Sequence, residues 1–128
     1  MKKIIHTTKA PSAIGTYNQA VQSNGFIFTS GQLGIDPDNG KLVSGGIGSE
    51  TLRALENIES ILKQAGVDKI HILKLTVFLT DLDGFDYVND SFKKFFDGSD
   101  FPARSTVEVS ALPMSAKVEI ECVAYLIE

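Results

Sequence analysis

The segment SETLRALENIESILKQAG, residues 49–66, and the segment IHILKLTVFLT, residues 70–80, together decide the architecture. In the first, Leu52, Leu55, Ile58, Leu62 and Ala65 recur at steps of three and four, the spacing of one helical face. Gly66 then suits a left-handed C-terminal position. The second reads as a strand, with Ile72, Thr76 and Phe78 on one side and Leu73, Leu75, Val77 and Leu79 on the other. Downstream, Asp81 or Asp83 can cap a second helix, in which Phe85, Val88, Phe92, Phe95 and Phe96 form an aromatic stripe that fits a core better than a cofactor box. Residues 105–110 and 117–127 follow as two strands joined through Pro113.

Upstream, Ile4-Ile5 and Ala20-Val21 are short apolar pieces on either side of a polar connection. Asn24-Gly25 tolerates positive φ and predicts a hairpin into the run 26–30, while residues 36–40 (DPDNG) predict a second turn ahead of Lys41-Leu42-Val43. Strands, helix, strand, helix and strands give an α+β fold: a mixed sheet with both helices on one face, in a single domain over 1–128.

With 128 residues, 43% of them hydrophobic, the chain is long enough for one core without staples and too short for two. Twelve basic against 16 acidic residues leave a net charge of −4, so no broad basic field is available to collect nucleic acid. The lone Cys122 and the lack of an apolar run after Met1-Lys2-Lys3 predict a cytoplasmic protein with no secretory leader. No stretch approaches the ~20 apolar residues of a membrane-spanning helix.

Alternation puts Val107 and Val109 on one face of their strand and Arg104, Thr106 and Glu108 on the other. In the last strand Val118, Ile120, Cys122 and Ala124 share a face, opposite Lys117, Glu119, Glu121, Val123, Tyr125 and Ile127. If these two strands pair antiparallel with their aliphatic faces on the helices, Arg104 lies on the same sheet face as Glu119 and Glu121. That face mixes charges with Val123, Tyr125 and Ile127, so it predicts a cover, and a second copy of the chain is the available one. An arginine beside a carboxylate can clamp a substrate acid while the glutamate handles a proton, or the two can form a plain cross-strand salt bridge.

Other candidates are weaker. Gly45-Gly46-Ile47-Gly48 lacks the Lys-Ser/Thr of a phosphate-binding loop. His6 and His71 have no metal-ligand neighbours in sequence and read as surface or edge residues, so no metal is expected. Cys122 reads as a small core residue.

Residues 10–20 (APSAIGTYNQA), 29–32 (TSGQ), 74–79 (KLTVFL), 88–89 (VN), 101–105 (FPARS) and 118–121 (VEIE) together resemble the reactive-intermediate deaminase family, also called YjgF-like or RidA. The resemblance runs nearly end to end. It implies a subunit shaped like chorismate mutase, a homotrimer enclosing a central barrel, and sites in clefts between subunits. The implied activity is hydrolysis of 2-imino acids, 2-iminobutyrate and 2-iminopropionate, to 2-oxo acids and ammonia, without cofactor, as protection against metabolite damage. By the same resemblance Arg104 matches a substrate-carboxylate clamp and Glu119 a water-positioning acid/base. Tyr17, Ser30, Gly31 and Asn89 match cleft-lining positions, and Thr106 stands where many members have cysteine. Thr16, Asn18, Ser110-Ala111 and Met114-Ser115 depart from the family pattern, which bears on substrate preference. Two rival functions are a small-carboxylate-binding regulatory trimer and an RNA-cleaving translation inhibitor, the latter disfavoured by the acidic charge.

Overall fold

The computed structural model describes residues 1–126, and in chain order its strands and helices are β1 Lys3–Ile5, β2 Ala20–Ser23, β3 Phe26–Thr29, β4 Gln32–Leu33, β5 Ile35–Asp36, β6 Lys41–Leu42, α1 Ile47–Gln64, β7 Ile72–Leu79, α2 Phe85–Phe96, β8 Ala103–Glu108 and β9 Val118–Tyr125. The main sheet runs β1-β2-β3-β9-β7-β8, and β4 continues the line of β3 along β9. Every pairing in it is antiparallel except β7 with β8. That parallel pair follows from α2, which carries the chain back over the sheet between the two strands. The α+β, mixed-sheet expectation therefore holds.

Helix α1 begins at Ile47, two residues before the apolar periodicity announces it, because the Gly46 carbonyl already accepts from the Glu50 N–H. It buries Ala54, Leu55, Ile58, Ile61 and Leu62 against the sheet, and Gly66 closes it at φ 92°. Asp81 caps a short 3₁₀ turn, Leu82–Gly84, that leads into α2, by accepting from the Asp83 N–H at 2.9 Å. The stripe Val88, Phe92, Phe95 and Phe96 is core, as its spacing predicts, while Phe85 stays partly exposed at the helix start. Both predicted turns form: Asn24 and Gly25 have φ 52° and 80°, and β5 pairs with β6 across residues 36–41.

Three expectations are corrected. First, β8 is not a neighbour of β9: β7 lies between them, and β8 is the sheet edge. Second, a bulge between Ile72 and Lys74 changes the parity of β7, so Ile72 joins Leu75, Val77 and Leu79 on the buried side and Leu73 turns outward. Third, His71 is buried rather than at the surface; its Nδ1 accepts from the Asp68 N–H at 3.1 Å, and its ring meets Tyr125 edge-on at 5.2 Å. Ile127, assigned to the last strand from its spacing, lies outside the described residues.

Both helices cover one face of the sheet. The other carries Phe26, Phe28, Val107 and Tyr125 at 45, 48, 44 and 37% exposure, the mixed apolar surface expected from the last strand. Among the described residues no helix is long and apolar enough to cross a membrane.

The connection between β1 and β2 is ordered by one buried amide. Gln19, 1% exposed, accepts from the Thr7 N–H at 2.7 Å and donates to the carbonyls of Thr7 at 3.0 Å and Pro11 at 2.8 Å. These bonds pin the loop of residues 7–18, which carries Tyr17. Replacing Gln19 with Met keeps the volume and removes every partner, leaving the Thr7 N–H and the Pro11 carbonyl unsatisfied. Urea unfolding of Gln19→Met is expected to show a loss of about 2 kcal/mol. A loss within the error of the extrapolation would mean that the loop does not depend on this amide.

Candidate active site

Arg104 sits near the start of β8, in register with the fully buried Leu75 of β7, and so points to the helix side of the sheet. Its guanidinium lies over the rings of Phe92 and Phe85 of α2, at 4.8 and 5.2 Å from their centroids. Burial pulls its pKa below the ordinary arginine value, yet arginine remains a cation at any physiological pH. The aromatic faces stabilise that charge without occupying the N–H groups. No carboxylate lies within 4 Å of it among the described residues. The guanidinium and Asn89 of α2 open into a cavity of about 420 Å³.

Glu119 is built from the opposite face. It pairs with Leu33 on one side and Phe78 on the other, and points away from the helices. Between β3 and β4 the register slips: Phe28 pairs with Val123 and Gln32 with Ile120, so Thr29, Ser30 and Gly31 oppose only Glu121 and Cys122. This is a bulge, and it bends Ser30-Gly31 toward Glu119. The Ser30 hydroxyl donates to the Asn18 carbonyl at 2.6 Å, and its N–H to the Gln19 carbonyl at 2.9 Å, which ties the bulge to the loop carrying Tyr17. A Cβ at Gly31 would displace the Glu119 carboxylate, so glycine here leaves that carboxylate its present position. Tyr17, Ser30, Gly31 and Glu119 then line a second cavity of about 510 Å³, with Ile14 and Met114 among its apolar walls. Burial raises the pKa of Glu119, and the charge of Glu121, two residues along the same face, raises it further.

Arg104 and Glu119 are therefore not brought together within one chain. The expected shared face is corrected: Val107 and the outward side of β9 share the open face, and Arg104 shares the helix face. The inference failed because β7 separates the two strands and the aliphatic side of β8 faces away from the helices. The same geometry removes the cross-strand salt bridge as an account of the pair. Thr106 lies two residues beyond Arg104 on its face; its Oγ1 is shut off from solvent with no hydrogen-bond partner among the described residues. Cys122 is buried, and its thiol is pushed up to about 12, chiefly by burial. No group of three metal-ligating side chains occurs among the described residues.

The candidate residues thus line two separate cavities, one with an uncompensated guanidinium and one with a carboxylate of raised pKa. A family model described as Endoribonuclease L-PSP matches residues 7–126. The chain belongs to this family. It is also 51% identical over 124 residues, 97% of its length and 90% of the relative's, to a Bos taurus protein named 2-iminobutanoate/2-iminopropanoate deaminase. Two solved structures are close in shape. The Yersinia pestis protein YyfA of the conserved Rid family has a TM-score of 0.95 at 49% identity, covering 98% of this chain and all of that one. Escherichia coli TdcF with bound serine has a TM-score of 0.93 at 40% identity, covering 98% and 99%. The family that the PARS and VEIE elements resemble is thus the one to which this L-PSP chain belongs.

In this L-PSP family chain, the sequence motifs name side chains that line both cavities, but Gln19 and the bulge that shape one of them were missed. Buried polar residues in a loop leave no periodic signal, whereas Ser30-Gly31 after a strand is a recognisable bulge cue. The Glu121 charge disfavours ionisation of Glu119, so removing it makes ionisation easier. Glu121→Gln is expected to move the Glu119 titration, followed by carboxyl carbon NMR, to lower pH. An unmoved or raised midpoint would show that the two carboxylates do not interact.

Proposed function

We propose that this protein hydrolyses 2-imino acids, 2-iminobutyrate and 2-iminopropionate among them, to 2-oxo acids and ammonia. The observation that carries this reading is the uncompensated Arg104 guanidinium, a fork shaped for a carboxylate, in a chain half identical to a protein named for that deaminase activity. An imine carbon is already electrophilic, so catalysis needs little beyond position and proton transfer. Arg104 holds the substrate carboxylate, and Asn89 and Tyr17 flank the acid. Glu119 takes a proton from water as the water oxygen bonds to the carbon of the protonated imine and the C=N pair moves onto nitrogen, giving a tetrahedral amino alcohol. Glu119 passes that proton to nitrogen, the C–N bond breaks to release ammonia, and the hydroxyl proton goes to the freed Glu119 carboxylate as the C=O of the 2-oxo acid forms. The raised pKa of Glu119 makes it a better base once ionised and a ready acid for the second half. The Thr106 hydroxyl has no hydrogen-bond partner among the described residues and Cys122 is held as a thiol, which favours direct attack by water over a covalent intermediate.

Because the two cavities face away from each other in one chain, we infer that a site is completed between copies. The open apolar face and the family resemblance favour a homotrimer, with the reaction in the cytoplasm. No cofactor, metal, membrane or nucleic acid enters this scheme, and the net charge of −4 weighs against RNA as the substrate.

The imines should be generated in situ by a pyridoxal-phosphate-dependent dehydratase acting on threonine or serine. Faster release of 2-oxobutyrate and pyruvate with the protein present is expected. Lack of acceleration on both would leave a carboxylate-binding regulator as the better account.

Mixing inactive Arg104→Ala with inactive Glu119→Ala tests the division of the site between copies. After unfolding and refolding together, the mixture is expected to recover about a quarter of wild-type activity, the statistical share of interfaces with both native halves. Recovery of none, with mixed oligomers present, would place both residues in one copy's site.

A further inference from the structure

The cavity that holds the Arg104 guanidinium is lined by Asn89, Phe92, Lys93, Phe101, Pro102 and Arg104. Its wall therefore carries two cations and no acid, in a chain whose acidic residues outnumber its basic ones by 16 to 12. Asn89 and Lys93 are four residues apart on α2, which stacks them on one helix face about 6 Å apart. Lys93 is exposed and has no ion pair among the described residues. Asp90, three residues before it, lines a different cavity together with Lys94. Phe92, Phe101 and Pro102 supply the apolar remainder of the wall.

One substrate carboxylate satisfies Arg104 and leaves Lys93 without a counter-charge. The geometry points to a second anion-recognition position at Lys93, so that the site accepts 2-imino dicarboxylates of four or five carbons, the imines of acidic amino acids. The inference rests on the imine-hydrolase reading above and specifies its substrate class. The two carboxyl carbons of such an acid lie about 4–5 Å apart, a span that lets one end engage the Arg104 fork while the other meets the exposed Lys93 ammonium. The methylene carbons between them would lie along the aromatic wall. The chemistry is unchanged: water adds to the C=N carbon, ammonia leaves, and the product is a 2-oxo dicarboxylic acid. Such imines come from two-electron oxidation of an acidic amino acid, so the supplying reaction is of the amino-acid oxidase class, whereas monocarboxylic imines also arise by dehydration.

A flavin-dependent oxidase acting on aspartate supplies the dicarboxylic imine, and one acting on alanine the monocarboxylic imine. The quantity to read is the ratio of kcat/KM for the first over the second. Lys93→Glu is expected to lower that ratio by at least about tenfold, mainly through KM for the diacid, and Lys93→Arg to retain most of it. Calorimetry on the intact protein gives a second readout that does not depend on turnover. Oxaloacetate is expected to bind more tightly than 2-oxobutyrate, and Lys93→Ala to abolish the difference. An unchanged ratio in Lys93→Glu, or equal affinity of the wild-type protein for the two oxo acids, would overturn the assignment. Hydrolysis of the alanine imine with no Lys93-dependent preference defeats this inference alone. Absence of hydrolysis on either imine defeats the imine-hydrolase reading, and the calorimetric comparison then still decides whether Lys93 recognises a second carboxylate.

Discussion

Strand β9 has hydrogen-bonded partners on both sides along its length, and its period-two alternation constrains everything around it. Val118, Ile120, Cys122 and Ala124 face the helices and complete the core with Leu75, Val77 and Leu79. The intervening positions cannot enter that core, so Glu119, Glu121, Val123 and Tyr125 must share the open face. Glu119 therefore owes its position to its apolar neighbours in sequence rather than to any polar partner. A one-residue slip of β9 would bury two glutamates under the helices and expel four core side chains, which is why the register is so firmly set.

The same alternation keeps Arg104 and Glu119 apart. Side by side on neighbouring strands they would have met as an ion pair, the fork of Arg104 would have been occupied, and the Glu119 pKa would have fallen instead of rising. Placing them on opposite sides of the sheet leaves each without a counter-ion, at a cost the surroundings partly offset. Aromatic rings take up the arginine charge, and the bulge at Ser30-Gly31 leaves the glutamate partly open to solvent. Uncompensated groups of this kind are available to a ligand in a way that a satisfied pair is not.

Both helices, both tight turns and the aromatic stripe were legible because each rests on local spacing or a turn residue with one physical meaning. The order of strands was not, since alternation says which residues share a face and nothing about which strand lies alongside. A strand, a helix and a strand in succession, as in β7, α2 and β8, favour parallel pairing of the two strands, and that cue outweighs aliphatic matching between β8 and β9. The Leu73 bulge breaks the alternation from which β7 was read. His71 and Gln19 are buried by bonds to backbone atoms of loops, which composition does not reveal. The residues of the candidate site were legible through the PARS and VEIE elements, but their distribution over two faces was not, because a motif carries identity without orientation.

Cys122 offers a different vantage on this sheet. Its side chain lies under the helices and its N–H donates to the Thr29 hydroxyl at 3.0 Å, at the point where β3 gives way to the bulge. With the thiol pushed up to about 12, almost none of it is thiolate at neutral pH, and no electrophile can reach it while the layers are closed. Alkylation consequently requires the helix layer to lift, so the rate of labelling counts opening events. The chain carries a single-atom clock for the breathing of its own core, set in the strand that also positions Glu119.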